Sequence, residues 1–291
     1  MLIANPASRR GERYLDAARR AIEAEHIECD IALTERSGHA LEIALERARH
    51  YDVVFTLGGD GTAMEVAAAL ASTGIPIAVL AGGTGNLLAR ALGTPLAVRR
   101  AVPALVHGRV RNIDLGVAHG RHFAVAAGVG IDAAMVAETP VWMKRHFGVL
   151  AYTVVAARAA LRIVLGHRSF HVRVDVDGEI VERTAATVMF ANFGAILDDR
   201  ITFGPGIVCD DGMLDCCIFS PATLADALRV MWRLLRRDFG PDPALLYRRG
   251  RRFRLETMPP LQLQADGELL GLTPADISVE PLAAHMLVPR G

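Results

Sequence analysis

Lysine is nearly missing from this 291-residue chain: Lys144 is the single one, and the other basic residues are arginines. There is accordingly no G-x-x-x-x-G-K-[ST] string, which excludes a P-loop enzyme. The glycine loop, lysine and H-R-D set of protein kinases is absent too. Charge on any bound phosphate must then be met by backbone N–H groups, a metal or arginine. Cysteine is scarce. Cys29, Cys209, Cys216 and Cys217 show no C-x-x-C pair and no histidine at zinc spacing, so they read as reduced core thiols of a cytosolic protein. Net charge is zero, which leaves nothing global to favour nucleic acid. The longest apolar stretch, residues 149–165, is interrupted by Arg158 and Arg162 and falls short of the ~20 residues a membrane span needs. Met1-Leu2-Ile3-Ala4 runs directly into Asn5-Pro6 and charged sequence, as a first strand rather than a secretory signal does. Neither a solenoid-period repeat nor a low-complexity linker is present.

What the chain has in quantity is apolar residues, 52% of the total with mean hydropathy +0.28, and room for two modest domains. The first half alternates strand and helix. Strands are expected at 2–5, 29–33, 53–57 and 75–80, and helices at 11–25, 37–50, from Thr62 and from Leu87, which is a βαβ series with a mostly parallel sheet. Beyond about residue 115 the pattern turns β-rich, at 110–115, 123–127, 170–176, 180–192, 213–219, 253–255, 261–265 and 277–280. Helical signals remain at 149–165 and 221–236. The expected fold is an α/β, Rossmann-like N-terminal domain over 1–115 and a β-rich antiparallel sandwich over 116–282. The last strand, about 283–291, is expected to return to the first domain.

Phosphate chemistry is suggested where the third strand ends. Gly58-Gly59-Asp60-Gly61-Thr62 stands between an apolar strand and a helix start, where glycines let backbone N–H groups close on an anion and the helix N-terminus adds partial positive charge. Asp60 would repel phosphate unless a metal or a transferable proton intervened, so it points to phosphoryl transfer with Mg²⁺. A turn pair alone is the simpler account. A second loop, Ala81-Gly82-Gly83-Thr84-Gly85-Asn86, repeats the arrangement after the next strand. Ligands collect at the carboxyl ends of parallel strands, which would bring Thr84 and Asn86 to the ligand of Asp60.

Three further Asp-Gly turns lie in the second half. Asp177-Gly178-Glu179 and Asp266-Gly267-Glu268 both sit between alternating strands and both fit a type I′ hairpin, so local pattern does not separate them. Asp210-Asp211-Gly212-Met213-Leu214-Asp215 is dense in the hard oxygen ligands Mg²⁺ prefers, although a solvated turn explains Asp210 and Asp215 as simply.

Together these strings carry a resemblance. Asn5-Pro6-Ala7-Ser8, Gly58 to Thr62 with Glu65, Gly83-Thr84-Gly85-Asn86 with Ala89-Arg90, Asp211-Gly212-Met213-Leu214-Asp215 and Asp266-Gly267-Glu268 occur in the order found in the diacylglycerol kinase catalytic-domain family, with its bacterial lipid kinases and its sphingosine and ceramide kinases. The resemblance covers nearly all of the chain. It implies ATP in an interdomain cleft, with Asn5, Pro6, Ser8, Thr34, Gly58, Gly59, Asp60, Gly61, Thr62, Glu65, Thr84 and Asn86 around the nucleotide. It implies Glu268, rather than Glu179, as the general base on a lipid hydroxyl, with Asp266 and Asp60 in the catalytic set. It also implies a structural Mg²⁺ on Asp211 and the main chain of Val208 and Met213. Leu87 departs from the pattern, because many diacylglycerol kinases carry an aspartate there and sphingosine-type relatives do not. The acceptor therefore stays open between a diacylglycerol-like and a sphingoid lipid. Asp114 either adds a charge to the same cleft or caps its strand. Arg9 and Arg10 either reach nucleotide phosphates or are solvated.

A membrane-peripheral location is suggested locally. Arg229, Arg233, Arg236, Arg237, Arg248, Arg249, Arg251, Arg252 and Arg254 surround Trp232, Phe239, Tyr247 and Phe253, with Asp238 and Asp242 the only acids between them. A solvated charged face is the alternative. Trp142 to Phe147 would be a second lip. The expected protein is a cytoplasmic lipid kinase at the inner membrane face that uses ATP and Mg²⁺, with no nucleic-acid partner and with a homodimer compatible with its sequence. Two other readings stay open: an NAD kinase-like enzyme, which uses the same G-G-D-G loop but an Asn-Glu pair not found here, and a non-catalytic lipid- or nucleotide-binding module.

Overall fold

The computed structural model describes residues 1–6, 11–130, 169–196, 201–202 and 204–290. The expectations for Ser8, Arg9 and Arg10, for the helix at 149–165 and for the lip at 142–147 lie outside the described residues. The chain divides into two compact units, Met1–Ile113 with Leu282–Gly291, and Asp114–Pro281.

In the first unit, apolar strands alternate with helices: β1 Leu2–Ala4, α1 Gly11–Ala24, β2 Ile31–Leu33, α2 His39–Arg47, β3 Val54–Gly58, α3 Asp60–Ala69, β4 Ile77–Ala81, α4 Leu87–Ala91 and α5 Val98–Val106. The strands lie in the order β2, β1, β3, β4, all parallel, so their carboxyl ends share one edge. β1, β3 and β4 are buried throughout, as a sheet covered on both faces requires. Leu2, Leu57, Leu80 and Leu105 are among the apolar side chains that fill the core with α1 and α5. Near the C-terminus Met286 pairs in parallel with Ile77 of β4.

The second unit begins within β5, Arg109–Ala118, and continues through β6 Arg121–Phe123, β7 Ala126–Gly130, β8 Phe170–Val176, β9 Glu179–Ala185, β10 Thr187–Ala191, β11 Ala195–Ile196, β12 Ile201–Thr202, β13 Leu214–Phe219, α6 Leu224–Leu235, β14 Leu245–Gly250, β15 Arg252–Met258, β16 Gln262–Ala265, β17 Glu268–Leu272 and β18 Ala275–Val288. Six antiparallel strands run β14-β13-β10-β7-β16-β17, with β17 at an edge. A second antiparallel layer joins β9, β8, β15 and the first part of β18. β8 shows why two layers form: its residues alternate buried and exposed, and the inward Phe170, Val172, Val174 and Val176 meet Val129, Val188, Phe190, Leu214 and Ile218 from the other sheet. Phe190 and Phe253 contact edge to face across the layers, with ring centroids 5.0 Å apart.

Several boundaries differ from expectation for identifiable reasons. The stretch 180–192 is two strands parted at Ala186, and 123–127 is parted at 124–125, where the backbone is engaged by a carboxylate described below. β14 carries Arg248 and Arg249 and reads in sequence as a charge run. α5 contains Pro103, which conceals it from a propensity reading.

Candidate functional site

The carboxyl edge of the parallel sheet collects the residues expected around a nucleotide. Asn5 follows β1 and donates its N–H to the Leu57 carbonyl at 2.9 Å; Thr34 follows β2 and donates to the Ala4 carbonyl at 2.9 Å. Pro6 is exposed, and Thr34 is buried. Gly58 closes β3 and Gly82 follows β4, joined by a 2.8 Å bond from the Gly82 N–H to the Gly58 carbonyl. The two glycine-rich loops run backbone against backbone. A Cβ on Gly83 would lie 2.5 Å from Gly59 Cα, and one on Gly82 would lie 3.0 Å from the Gly58 nitrogen, so only glycine allows this approach.

Asp60, the first residue of α3, turns toward the second loop. Its Oδ1 accepts the Leu88 N–H at 3.1 Å, and a Cβ on Gly85 would come within 3.0 Å of its Oδ2. Burial pushes its carboxyl upward from the ordinary carboxylate range, opposed by backbone N–H groups at Leu88, Leu87 and Asn86. One carboxylate thus ties the two loops together in a desolvated setting. Asn86 shapes its own loop: its side chain accepts the Gly83 N–H at 2.9 Å and donates to the Gly83 carbonyl at 3.0 Å, with a backbone φ of 51° that asparagine tolerates. Thr84 is exposed on this loop, while Thr62 is buried under Gly58. Glu65 is used differently: its two oxygens accept the N–H groups of Gly38 and Ala40, at 2.8 and 3.0 Å, and so cap the start of α2.

A polar site in the second unit is centred on the Asp266-Gly267-Glu268 hairpin between β16 and β17. Asp266 and Gly267 have φ of 45° and 87°, as a type I′ turn needs. The Asp266 carboxylate accepts three successive N–H groups, from Ala124 at 2.6 Å and from Val125 and Ala126 at 3.0 Å each. Its own N–H returns to the Ala126 carbonyl. Asp266 is therefore a brace, and Glu268 is the exposed carboxylate of the turn, 2.7 Å from Arg121.

The acidic turn expected to hold Mg²⁺ precedes β13. Asp211 Oδ1 accepts the Met213 N–H at 3.0 Å; its Oδ2 is buried, makes no hydrogen bond and lies against the Arg249 guanidinium. Among the described residues no three His, Cys, Asp or Glu side chains are grouped to hold a metal. The donor set fits a hard cation in kind only, as a carboxylate next to main-chain carbonyls of one turn. Arg249 supplies the positive charge there in this structure. Asp215 departs from the solvated-turn expectation: it lies half-buried on β13, and burial pushes its carboxyl up to about 6. Asp114 is fully buried in β5, where its Oδ2 accepts the Gly212 N–H at 2.7 Å.

The basic cluster is less free than its sequence suggests. Arg229 binds Asp226 and Asp242, Arg233 binds Asp238 and Asp242, Arg248 meets Glu179 and Arg254 meets Asp276. The acids counted in sequence understate the neutralisation, because pairing of β14 and β15 with distant strands imports carboxylates. The remaining face of α6 shows Leu228 and Trp232, 61% and 60% exposed, with Arg236 over the Trp232 ring at 5.3 Å. No helix among the described residues is long and apolar enough to cross a membrane. Cys209, Cys216 and Cys217 are buried free thiols.

Residues 1–118 match the family model described as the diacylglycerol kinase catalytic domain, and residues 124–288 match the YegS C-terminal NAD kinase β-sandwich-like domain. A diacylglycerol kinase of Bacillus subtilis is 28% identical over 295 residues, covering 99% of this chain and 96% of that protein. A diacylglycerol kinase of Staphylococcus aureus is 27% identical over 281 residues, covering 94% and 87%. A crystal structure from Bacillus anthracis superimposes with a TM-score of 0.78 at 25% identity, covering 99% of this chain and 96% of that one.

Proposed function

Since the chain belongs to the diacylglycerol kinase catalytic-domain family, a family of lipid kinases, we propose that it moves the γ-phosphoryl group of ATP to the hydroxyl of a diacylglycerol-like or sphingoid lipid, with Glu268 as general base. The observation that carries this reading is the pair of glycine loops clamped by Asp60 at the carboxyl edge of the parallel sheet. Backbone N–H groups there meet phosphate oxygens without a lysine, which suits a chain that has almost none.

Transfer needs in-line placement, neutralised charge and removal of the acceptor proton. The loops at Gly58 to Thr62 and Gly82 to Asn86 orient the triphosphate, with Asn5, Pro6, Thr34 and Thr84 bordering it. Asp60 is the carboxylate nearest those loops and would act on the phosphates only through its proton or a nucleotide-borne Mg²⁺, because the bare carboxylate repels their oxygens. Glu268 takes the hydroxyl proton as the new P–O bond forms, a carboxylate role typically contributing about 10²–10⁴-fold. Asp266 holds the turn from which Glu268 projects. Asp211 with the carbonyls of Val208 and Met213 would hold a Mg²⁺ that stiffens this turn, and nucleotide-borne Mg²⁺ supplies further charge neutralisation when bound. Lipid is reached at the inner membrane face, where Leu228 and Trp232 of α6 provide apolar contact and Arg236 faces anionic headgroups.

Incubation of the purified protein with labelled ATP, Mg²⁺ and separate pools of diacylglycerol, sphingosine, ceramide and NAD tests the reading. Label is expected on a lipid. Label on NAD, or on nothing, overturns it. Leu228→Ser with Trp232→Ser should lower binding to anionic vesicles while leaving ATP affinity unchanged.

A further inference from the structure

Asn192 belongs to none of the motifs above, yet it is fully buried at a junction of three segments. Its side-chain amide donates to two carbonyls at once, those of Asp114 and Ala124, each at 2.8 Å. Its backbone N–H donates to the Val125 carbonyl at 2.9 Å, and the Phe193 N–H reaches the same oxygen at 3.3 Å. Asn192 Oδ1 is buried without a hydrogen bond, a cost that proteins accept only when the group is held for another reason. Reversing the amide would turn that oxygen toward two carbonyl oxygens, so the donor orientation is dictated by its surroundings.

The two carbonyls lead to opposite ends of the polar site. Ala124 and Val125 present carbonyls to Asn192, and Ala124 to Ala126 present N–H groups to Asp266, so this segment is fixed from both sides. Asp266 in turn forms the turn that carries Glu268. On the other side, Asp114 donates its N–H to the Cys209 carbonyl at 2.6 Å and accepts the Gly212 N–H at 2.7 Å, pinning the turn that holds Asp211. All of these residues lie in the second unit.

We infer that Asn192 is a positioning residue that sets Glu268 through the 124–126 segment and Asp266, and registers that turn against the acidic turn at 209–212. The inference rests on the reading of Glu268 as the base. A polar side chain is required because a apolar one of equal size would leave two buried carbonyls unpaired, and the segment would shift to find water or new donors. Displacement of a reacting group by about 1 Å can cost on the order of 10²-fold in rate.

The test compares full-length wild type with Asn192→Leu, Asn192→Ser and Glu268→Gln. Amide hydrogen exchange and kinase turnover are measured, with labelled ATP and whichever lipid of the panel is the best acceptor. Asn192→Leu is expected to lower kcat about 10- to 100-fold with the KM for ATP unchanged. Asn192→Ser, which retains one donor, should restore part of that loss. Exchange at Ala124 to Ala126 should quicken in both variants, while exchange at Arg251 and Arg252, held by the other hairpin, should not. If Asn192→Leu is poorly folded, the serine variant carries both measurements. Unchanged exchange at 124–126, or full kcat per folded molecule in both variants, overturns the positioning role. Full activity in Glu268→Gln overturns the base assignment instead, and the exchange readout separates the two failures.

Discussion

The two Asp-Gly-Glu hairpins of the second unit are nearly the same object locally. Asp177 and Gly178 have φ of 51° and 98°, against 45° and 87° for Asp266 and Gly267. Each aspartate accepts backbone N–H groups: Asp177 takes those of Arg251 and Arg252, at 2.8 and 2.9 Å, and Asp266 takes three. Each glutamate meets an arginine, Glu179 with Arg248 and Glu268 with Arg121. The difference lies one step further out. Asp177 holds the start of β15, a strand already paired with its own β8, so the brace closes within one sheet. Asp266 holds a segment whose carbonyls continue through Asn192 to Asp114 and the acidic turn. A turn's role is thus decided by what its acceptors hold, not by its own shape.

The comparison breaks most visibly at the glutamates. Glu268→Gln should lose about 10²–10⁴-fold in lipid phosphorylation, whereas Glu179→Gln should retain wild-type turnover. Equal losses would show that the hairpins do not differ in function. At the aspartates, Asp266→Ala and Asp177→Ala should each lower stability by about 1–3 kcal/mol, read as a shift in denaturant midpoint, because N–H groups lose their acceptor. Only the first should also lower kcat.

Asp60 sharpens the contrast as an aspartate at the start of a helix, whose carboxylate is desolvated. Its folded-state pKa lies above the ordinary 3.8, so the folded chain binds that proton more tightly than the unfolded one. Its contribution therefore favours folding at low pH and fades as pH rises from about 4 through the raised value. Asp60→Asn should remove that decline, leaving thermal stability near neutral pH at or above wild type while kinase activity falls. A variant less stable at pH 7 would contradict the assignment. The smallest effects belong to the exposed ion pairs: Arg121→Ala and Arg248→Ala should each change unfolding free energy by less than about 1 kcal/mol.

Much of this was legible in the residues. Buried strands such as Ile77–Ala81 followed by glycine-rich turns announce a parallel sheet with its loops on one edge, because continuous apolar runs and positive-φ or closely packed glycines have few other uses. The pairing of the basic cluster was not legible, since Arg248 and Arg249 belong to β14 and meet Glu179 and Asp211 from distant segments. In sequence β18 falls into two pieces because Pro281 interrupts a strand of 14 residues.

Local order, then, sufficed for the α/β unit, for the place of the glycine-rich loops at strand ends and for the list of aspartates, because those depend on neighbours in the chain. Partnership did not. That Asp60 reaches Leu88, that Glu65 caps α2, and that Asn192 joins Asp114 to Ala124 are contacts between residues 25 or more positions apart. They exist because tertiary packing excludes water and leaves each buried polar group to find its acceptor or donor in another segment.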